Sequence, residues 1–364
     1  MSPGALDRLD QLDPVWVTAA LRHGGTLGSD DPVVAGVELE RVGATTGFLG
    51  VLARVHLGWS QPGAGAGPTL PRTVVVKLPT ADPGGRSVGR MLDVWRREAA
   101  FFAELAPALG GAVPRCLFNA AEPDTERYTL LLEDCGPDVD ADQVAGATGH
   151  QARQAVATLA RIQAPFWGGP RATEWLPGFD RPRFEALQGA MAASLGAFTE
   201  RYAARLPEAG IEAHRRIVAE LPAWAQRVAH TPLSLVHADY RLDNLLYRAD
   251  GSVTVVDWQT TLWGPGAMDL SSLLATSLTI ESRRRLEPEL IELYVTTLRD
   301  AGAVVDEAQV RESYRGCLLW WMAIFANNLS RIDTADQRSR ALFDAMIERT
   351  FVAAADTDAA ATLD

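Results

Sequence analysis

The chain of 364 residues has one lysine, three cysteines and no apolar run of membrane-spanning length, and each scarcity narrows what it can be. Cys116, Cys135 and Cys317 are scattered, which argues against a disulfide framework or a zinc site and for a reducing, cytoplasmic setting. The longest apolar candidate, Cys317 to Ala326, is too short to span a bilayer and sits inside an amphipathic helical pattern, so no membrane association is expected. At the N-terminus Asp7, Asp10 and Asp13 stand where a secretory signal would carry basic and then apolar residues. Clustered basic charge is scarce as well. The formal net charge of -12 disfavours the nucleic-acid backbone as a partner.

The single lysine is the sharpest feature of the composition. Of 34 basic residues only Lys77 is not arginine, and it lies in the strand-like run Val74, Val75, Val76, Lys77, Leu78. A coding bias has replaced lysine elsewhere. Either Lys77 survived by chance, or its position needs a compact ammonium on a flexible stem where a planar guanidinium would not fit.

The chain is long enough for two lobes, each with its own core. Alternating patterns predict strands at Gly36 to Arg41, Val51 to Leu57, the Lys77 run, Val113 to Asn119 and Tyr128 to Leu132, with a short helix over Asp10 to His23. A Gly-rich turn around Pro83 to Gly85 precedes one long helix, about Val88 to Leu109. Beyond Glu133 helical periodicity dominates, from Ala141 to Gln163, Arg183 to Leu206, His214 to Ala229, Leu286 to Gly302, Glu307 to Ile332 and Asp336 to Ala354. Short strands at Ser234 to His237, Leu245 to Tyr247 and Val253 to Asp257 interrupt it. The expected class is α+β, with an antiparallel sheet lobe at residues 1–132, a hinge at 133–136 and a larger, mainly helical lobe at 137–364. Most of the net negative charge falls in the helical part.

The segment His237, Ala238, Asp239, Tyr240, Arg241, Leu242, Asp243, Asn244 has the form H-x-D-x-x-x-x-N, with Asp257 thirteen residues after the asparagine. That spacing matches the catalytic loop of kinases, in which an Asp accepts the proton of the acceptor hydroxyl while an Asn and a second Asp hold metal ions. The strands flanking Tyr247 to Ser252 are expected to form a hairpin that brings Asn244 and Asp257 side by side. An amide oxygen and a carboxylate suit Mg²⁺. Taken singly, each residue has a plainer reading, as a solvated cap, a turn residue or a structural histidine. In register, they point to catalysis by Asp239, with Asn244 and Asp257 as metal ligands. His237 is expected to brace the loop.

These motifs, with Val255 to Gln259 and Trp263 to Leu270, resemble the aminoglycoside phosphotransferase and choline kinase superfamily, which has a bilobal protein-kinase-like fold. The run Thr46 to Gly50 and the tail around Asn327 to Phe343 look most like the branch of ecdysteroid-kinase-like proteins and their bacterial relatives. Two departures stand out: Ala238 replaces a common Gly, and Trp258 follows the metal aspartate where protein kinases have Phe-Gly. The latter, with no Ala-Pro-Glu segment downstream, speaks against a protein kinase.

The resemblance implies that Lys77 reaches the nucleotide phosphates while Glu98 holds its ammonium, although Glu98 alone would read as a solvated helix acid. It implies that Thr45, Thr46 and Gly47 cover the phosphates, where an ordinary hairpin turn is the plainer reading. The backbone of Glu133 and Cys135 would pair with the nucleobase. Asp269 would tie down the catalytic loop, or cap the helix Leu270 to Thr276.

The implied activity is transfer of the γ-phosphoryl of ATP or GTP, with Mg²⁺, to a hydroxyl of a small-molecule alcohol. The acidic second half fits a cationic aminoglycoside-like acceptor; the tryptophans fit an apolar sterol, lipid or macrolide-like one. Phe166, Trp167, Trp258, Trp263, Trp320 and Trp321 are candidates to line its site, or core residues. The rival reading is a nucleotide-binding pseudokinase, whose usual mark is loss of the Lys, the catalytic Asp or the metal Asp. All three are present.

Overall fold

Alternation of apolar residues along the first third of the chain builds one antiparallel sheet. The computed structural model describes residues 2–42, 49–61, 70–136, 139–179, 181–328 and 336–364. The chain divides into two compact units, Met1–Gly136 with Val256–Thr260, and Pro137–Val255 with Thr261–Asp364.

In the first unit β1 (Val34–Val42), β2 (Gly50–Trp59), β3 (Thr73–Pro79), β4 (Cys116–Glu122) and β5 (Arg127–Glu133) pair in the order β1-β2-β3-β5-β4. Ala53, Val55, Val74, Val76, Leu78 and Leu131 bury one face against Val17, Ala20 and Leu21 of α1 (Pro14–His23). Asp13 caps α1, its carboxylate accepting from Trp16 N at 2.7 Å, and Pro14 supplies the pre-set first turn. On the opposite face the register pairs Lys77 with Leu52 and with Leu130, and Val75 with Arg54 and with Leu132.

The single long helix expected from Val88 to Leu109 is three: α2 (Pro83–Leu92), α3 (Val94–Glu104) and α4 (Ala106–Leu109). Asp93 takes a left-handed conformation, φ 54°, and turns the chain between α2 and α3. The turn folds Trp95 back over Gly89, where a Cβ would come within 2.4 Å of the indole ring. Periodicity could not show this, because the apolar spacing continues through the break. The Gly-rich segment read as a turn starts α2, with Asp82 accepting from Gly85 N at 2.7 Å.

The second unit is helical: α5 (Gly149–Gln163), α6 (Arg181–Tyr202), α7 (Glu208–Val228), α8 (Ala267–Ser277), α9 (Ile280–Asp300), α10 (Glu307–Asn328) and α11 (Gln337–Asp356). Helix α5 begins at Gly149, later than the predicted Ala141, because Thr148 and Gln151 form a capping box there. Two short antiparallel pairs complete the unit. β6 (Leu233–Val236) pairs with β9 (Leu262–Pro265), a strand the sequence reading did not anticipate, and β7 (Leu245–Tyr247) pairs with β8 (Val253–Val255). Helix α8 is buried along its whole length. Among the described residues no helix is long and apolar enough to cross a membrane.

Candidate active site

In the first unit Lys77 points from β3 to the face that α3 covers. Its Nζ lies 2.7 Å from Glu98 Oε1 and 2.7 Å from Asp257 Oδ1, and both Lys77 and Glu98 are buried. Burial alone would strip the proton from Lys77, but Asp257 and then Glu98 outweigh it and raise the affinity of the amine for its proton. Burial raises the Glu98 carboxyl, against the pull of Lys77 and of the Trp258 backbone N–H. The ammonium therefore sits between two carboxylates, one fixed in the core and one, on Asp257, a third exposed.

The segment that carries Asp257 is held in this unit by packing. The Trp258 ring stacks on Phe101 of α3, with centroids 4.1 Å apart, and is fully buried. Arg97 Nη1 donates to Thr260 O at 3.4 Å. Strand β8 stops at Val255, short of the predicted Asp257, and Asp257 adopts a left-handed φ of 67°. Such a conformation costs on the order of 1–3 kcal/mol in a non-glycine residue and aims the carboxylate at Lys77. Gln259 Nε2 donates to Asp257 Oδ2 at 3.3 Å, while the buried Gln259 Oε1 has no partner among the described residues.

In the second unit the loop between β6 and β7 carries the rest of the motif. Asp269 lies within the first turn of α8, whose N-cap is Gly266, so it is not the cap. Its carboxylate accepts from His237 N at 2.7 Å and Ala238 N at 2.9 Å. Burial pushes this carboxyl up to about 7, against the pull of the two N–H donors. His237 is buried and its Nδ1 accepts from Asp239 N at 3.2 Å, which is the bracing contact expected of it. Ala238 has φ 63°, in the region that favours glycine, so the departure from the family's common Gly is a strained position. At the other end of the loop Leu242 N donates to Ser277 Oγ at 3.0 Å and Asp243 N to Gln143 Oε1 at 3.3 Å.

Asp239, a third exposed, accepts from Asn244 Nδ2 at Oδ2 (2.8 Å) and from Arg241 Nε at Oδ1 (3.0 Å). Arg241 also reaches Asp243 Oδ2 at 2.6 Å. Arg241 stands inside the motif, but the H-x-D-x-x-x-x-N spacing alone assigns it no role. With its Nδ2 committed to Asp239, Asn244 keeps its Oδ1 as an acceptor. The next residue, Leu245, pairs with Val255 in the β7–β8 hairpin, two residues before Asp257. In the first unit the carboxylate of Asp257 and the orphaned Gln259 oxygen, and in the second the side-chain amide oxygen of Asn244, are each hard oxygen donors of the kind that suits Mg²⁺ or its bound water.

Of the other predicted residues, Glu133 ends β5 with its backbone N donating to Arg115 O at 2.9 Å, and Cys135 follows, half-buried. Thr45, Thr46 and Gly47 lie outside the described residues. Among the aromatic candidates, Trp320 stacks parallel to Trp224, and Trp321 Nε1 donates to Met268 O at 3.0 Å; both are core, as are Trp258 and Trp263. Phe166 and Trp167 are half-buried.

The sequence matches the phosphotransferase enzyme family over residues 69–310, more than half of the chain. The chain belongs to that family and is a phosphotransferase with an alcohol group as acceptor. No curated protein matches the sequence. Among solved structures it resembles a putative aminoglycoside phosphotransferase from Ralstonia eutropha at TM-score 0.50 and 17% identity, over 93% of this chain and 97% of that one. A spectinomycin phosphotransferase solved with ADP and spectinomycin aligns at TM-score 0.50 and 13% identity, over 90% and 94%. An amicoumacin kinase solved with AMP-PNP and Ca²⁺ aligns at 0.51 and 15%, over 86% and 87%. At these identities the likeness speaks for the fold, which is the bilobal protein-kinase-like one.

Proposed function

We propose that the protein transfers the γ-phosphoryl of ATP or GTP to a hydroxyl of a small molecule, with Asp239 as the residue that orients the hydroxyl and takes its proton. The observation that carries this reading is the held state of both halves of the motif. Lys77 is pinned by Glu98 and Asp257 at 2.7 Å each, and Asp239 is oriented by Asn244 and Arg241 in a loop clamped by Asp269. Preorganised charge of this kind is what phosphoryl transfer asks of a protein, since the chemistry is mainly positioning and electrostatics. Asn244 and Asp257 would hold Mg²⁺, which supplies neutralising charge on the β and γ phosphates. Lys77 would bind the phosphates. The strip of Leu52 and Val75 on the Lys77 face offers an apolar surface for a nucleobase, whose edge the backbone of Glu133 and Cys135 would read.

For the acceptor, the spectinomycin and amicoumacin of two structural neighbours support a natural-product alcohol, aminoglycoside-like. The narrower likeness to ecdysteroid-kinase-like proteins keeps a sterol-like alcohol as the second reading. The test is a thermal shift with nucleotide and Mg²⁺, followed by nucleotide consumption across a panel of such alcohols. Asp239→Asn should abolish transfer and leave nucleotide affinity within about twofold, because its carboxylate acts on the acceptor. Near-normal turnover in that variant would remove Asp239 from its role. Nucleotide binding with no turnover of any alcohol would favour the pseudokinase.

A further inference from the structure

We infer that Arg54 is a positioning residue for nucleotide binding, which by gripping Asp134 fixes the backbone at Glu133 to Gly136 and sets affinity for the base but not for the phosphates. This rests on the nucleotide reading above. Arg54 sits on β2 opposite Val75, on the face that carries Lys77, two cross-strand pairs from the Leu52–Lys77 pair, with Ala53–Val76 between them. Along β3 that is two residues, or about 7 Å, from the phosphate-binding lysine. Its guanidinium makes a fork on Asp134, with Nε 2.6 Å from Oδ2 and Nη2 3.4 Å from Oδ1. Asp134 Oδ1 in turn accepts from Gly136 N at 3.2 Å, and a Cβ at Gly136 would stand 3.6 Å from Arg54 Nη2.

This arrangement does more than an exposed surface pair would. The Asp134 side chain is 9% exposed. Burial would raise its carboxyl, but Arg54, the Thr73 hydroxyl and the Gly136 N–H outweigh it and hold it below the usual range. Beyond Glu133 the chain leaves the ladder of β5, and the planar fork fixes Asp134 in orientation as well as in place. Arg54 also reaches Glu40 Oε2 on β1 at 3.3 Å, which anchors the guanidinium from the side away from Asp134. The pair therefore ties the segment proposed to read the base to the middle of the sheet.

The test compares wild type, Arg54→Met, Arg54→Lys, Asp134→Asn and the Arg54→Met/Asp134→Asn double variant. Calorimetry measures binding of ADP with Mg²⁺ and, separately, of tripolyphosphate with Mg²⁺; circular dichroism melting verifies the fold. Arg54→Met, Arg54→Lys and Asp134→Asn should each weaken ADP about tenfold and leave tripolyphosphate within twofold. The double variant should be no weaker than the worse single, because both residues act through one contact. ADP affinity within twofold of wild type in the folded Arg54 variants would overturn the inference and leave the nucleotide reading standing. Equal weakening of ADP and tripolyphosphate would overturn it too, since it would mean a distorted sheet. Wild type that binds neither probe would defeat the nucleotide reading itself, and this inference with it.

Discussion

Lys77 is the residue that the composition singled out before any motif did, and its surroundings explain why an arginine-rich chain keeps it. One nitrogen lies 2.7 Å from two carboxylates, one of them buried. A guanidinium is wider and planar, and cannot place one nitrogen in that spot without displacing Glu98 or Asp257. Lys77→Arg should therefore lower kcat about a hundredfold, the usual effect of a misplacement of about 1 Å, with the fold retained. Steady-state kinetics and circular dichroism check this, and a wild-type kcat and nucleotide KM would make the lone lysine an accident of codon usage. Ala238 yields a prediction of opposite sign. Its φ of 63° carries strain of about 1–2 kcal/mol that glycine would not have, against about 0.4–1 kcal/mol of extra chain entropy in the unfolded state. Ala238→Gly should stabilise the protein by about 0.5–1 kcal/mol in urea unfolding. Neither this conformation nor that of Asp257 was legible in the sequence, because a left-handed Ala or Asp carries no mark of its own.

The elements were most legible where period and cap agree. The strand run around Lys77, the hairpin after Asn244 and α11 fall within a residue or two of where the pattern puts them, whereas α7 starts six residues before the expected His214. Where tertiary packing overrides period, the reading failed. The segment read as one helix breaks at Asp93, and Trp95 closes the break by lying on Gly89 and donating to Leu49 O at 2.8 Å. The break matters because α3 begins after it and presents Glu98. Gly89→Ala would put a methyl 2.4 Å from the indole, so Trp95 or the backbone must move. Overpacking of this kind costs about 1–3 kcal/mol. The variant should lose that much stability, measured by denaturant titration, and its nucleotide affinity should fall as Glu98 shifts. Likewise, β9 went unseen because Leu262–Pro265 is short and carries a Pro and a Gly; only its partner β6 makes it a strand. Two of the notable pairs in the molecule, Arg54 with Asp134 and Arg241 with Asp239, join residues whose interaction the sequence does not announce.

For the whole molecule, the dependence of stability on pH is set by buried groups that the charge count of the sequence could not reveal. His214 on α7 packs edge-on against Phe198 of α6 and Phe351 of α11, and its buried Nδ1 has no partner among the described residues. Burial, and then the nearby Arg215, lower its pKa to about 4. The folded state therefore takes up the proton later than the unfolded chain does on acidification. Stability from this group is complete above about pH 6.5 and is lost as the pH falls towards 4. Between pH 8 and pH 5 the loss is about 2 kcal/mol. Asp269 runs the other way, because a carboxyl pushed up to about 7 holds its proton longer in the folded state, so its share of stability rises as the pH falls from 7. The profile of the wild type alone mixes the two. A comparison with His214→Leu separates them, since Asp269 is common to both proteins and leucine is close to histidine in volume but takes no proton. The difference in unfolding free energy between variant and wild type should shift by about 2 kcal/mol in favour of the variant from pH 8 to pH 5. Urea unfolding at four or five pH values measures it, and a difference that stays flat across that range would show that His214 titrates alike in the folded and unfolded chain.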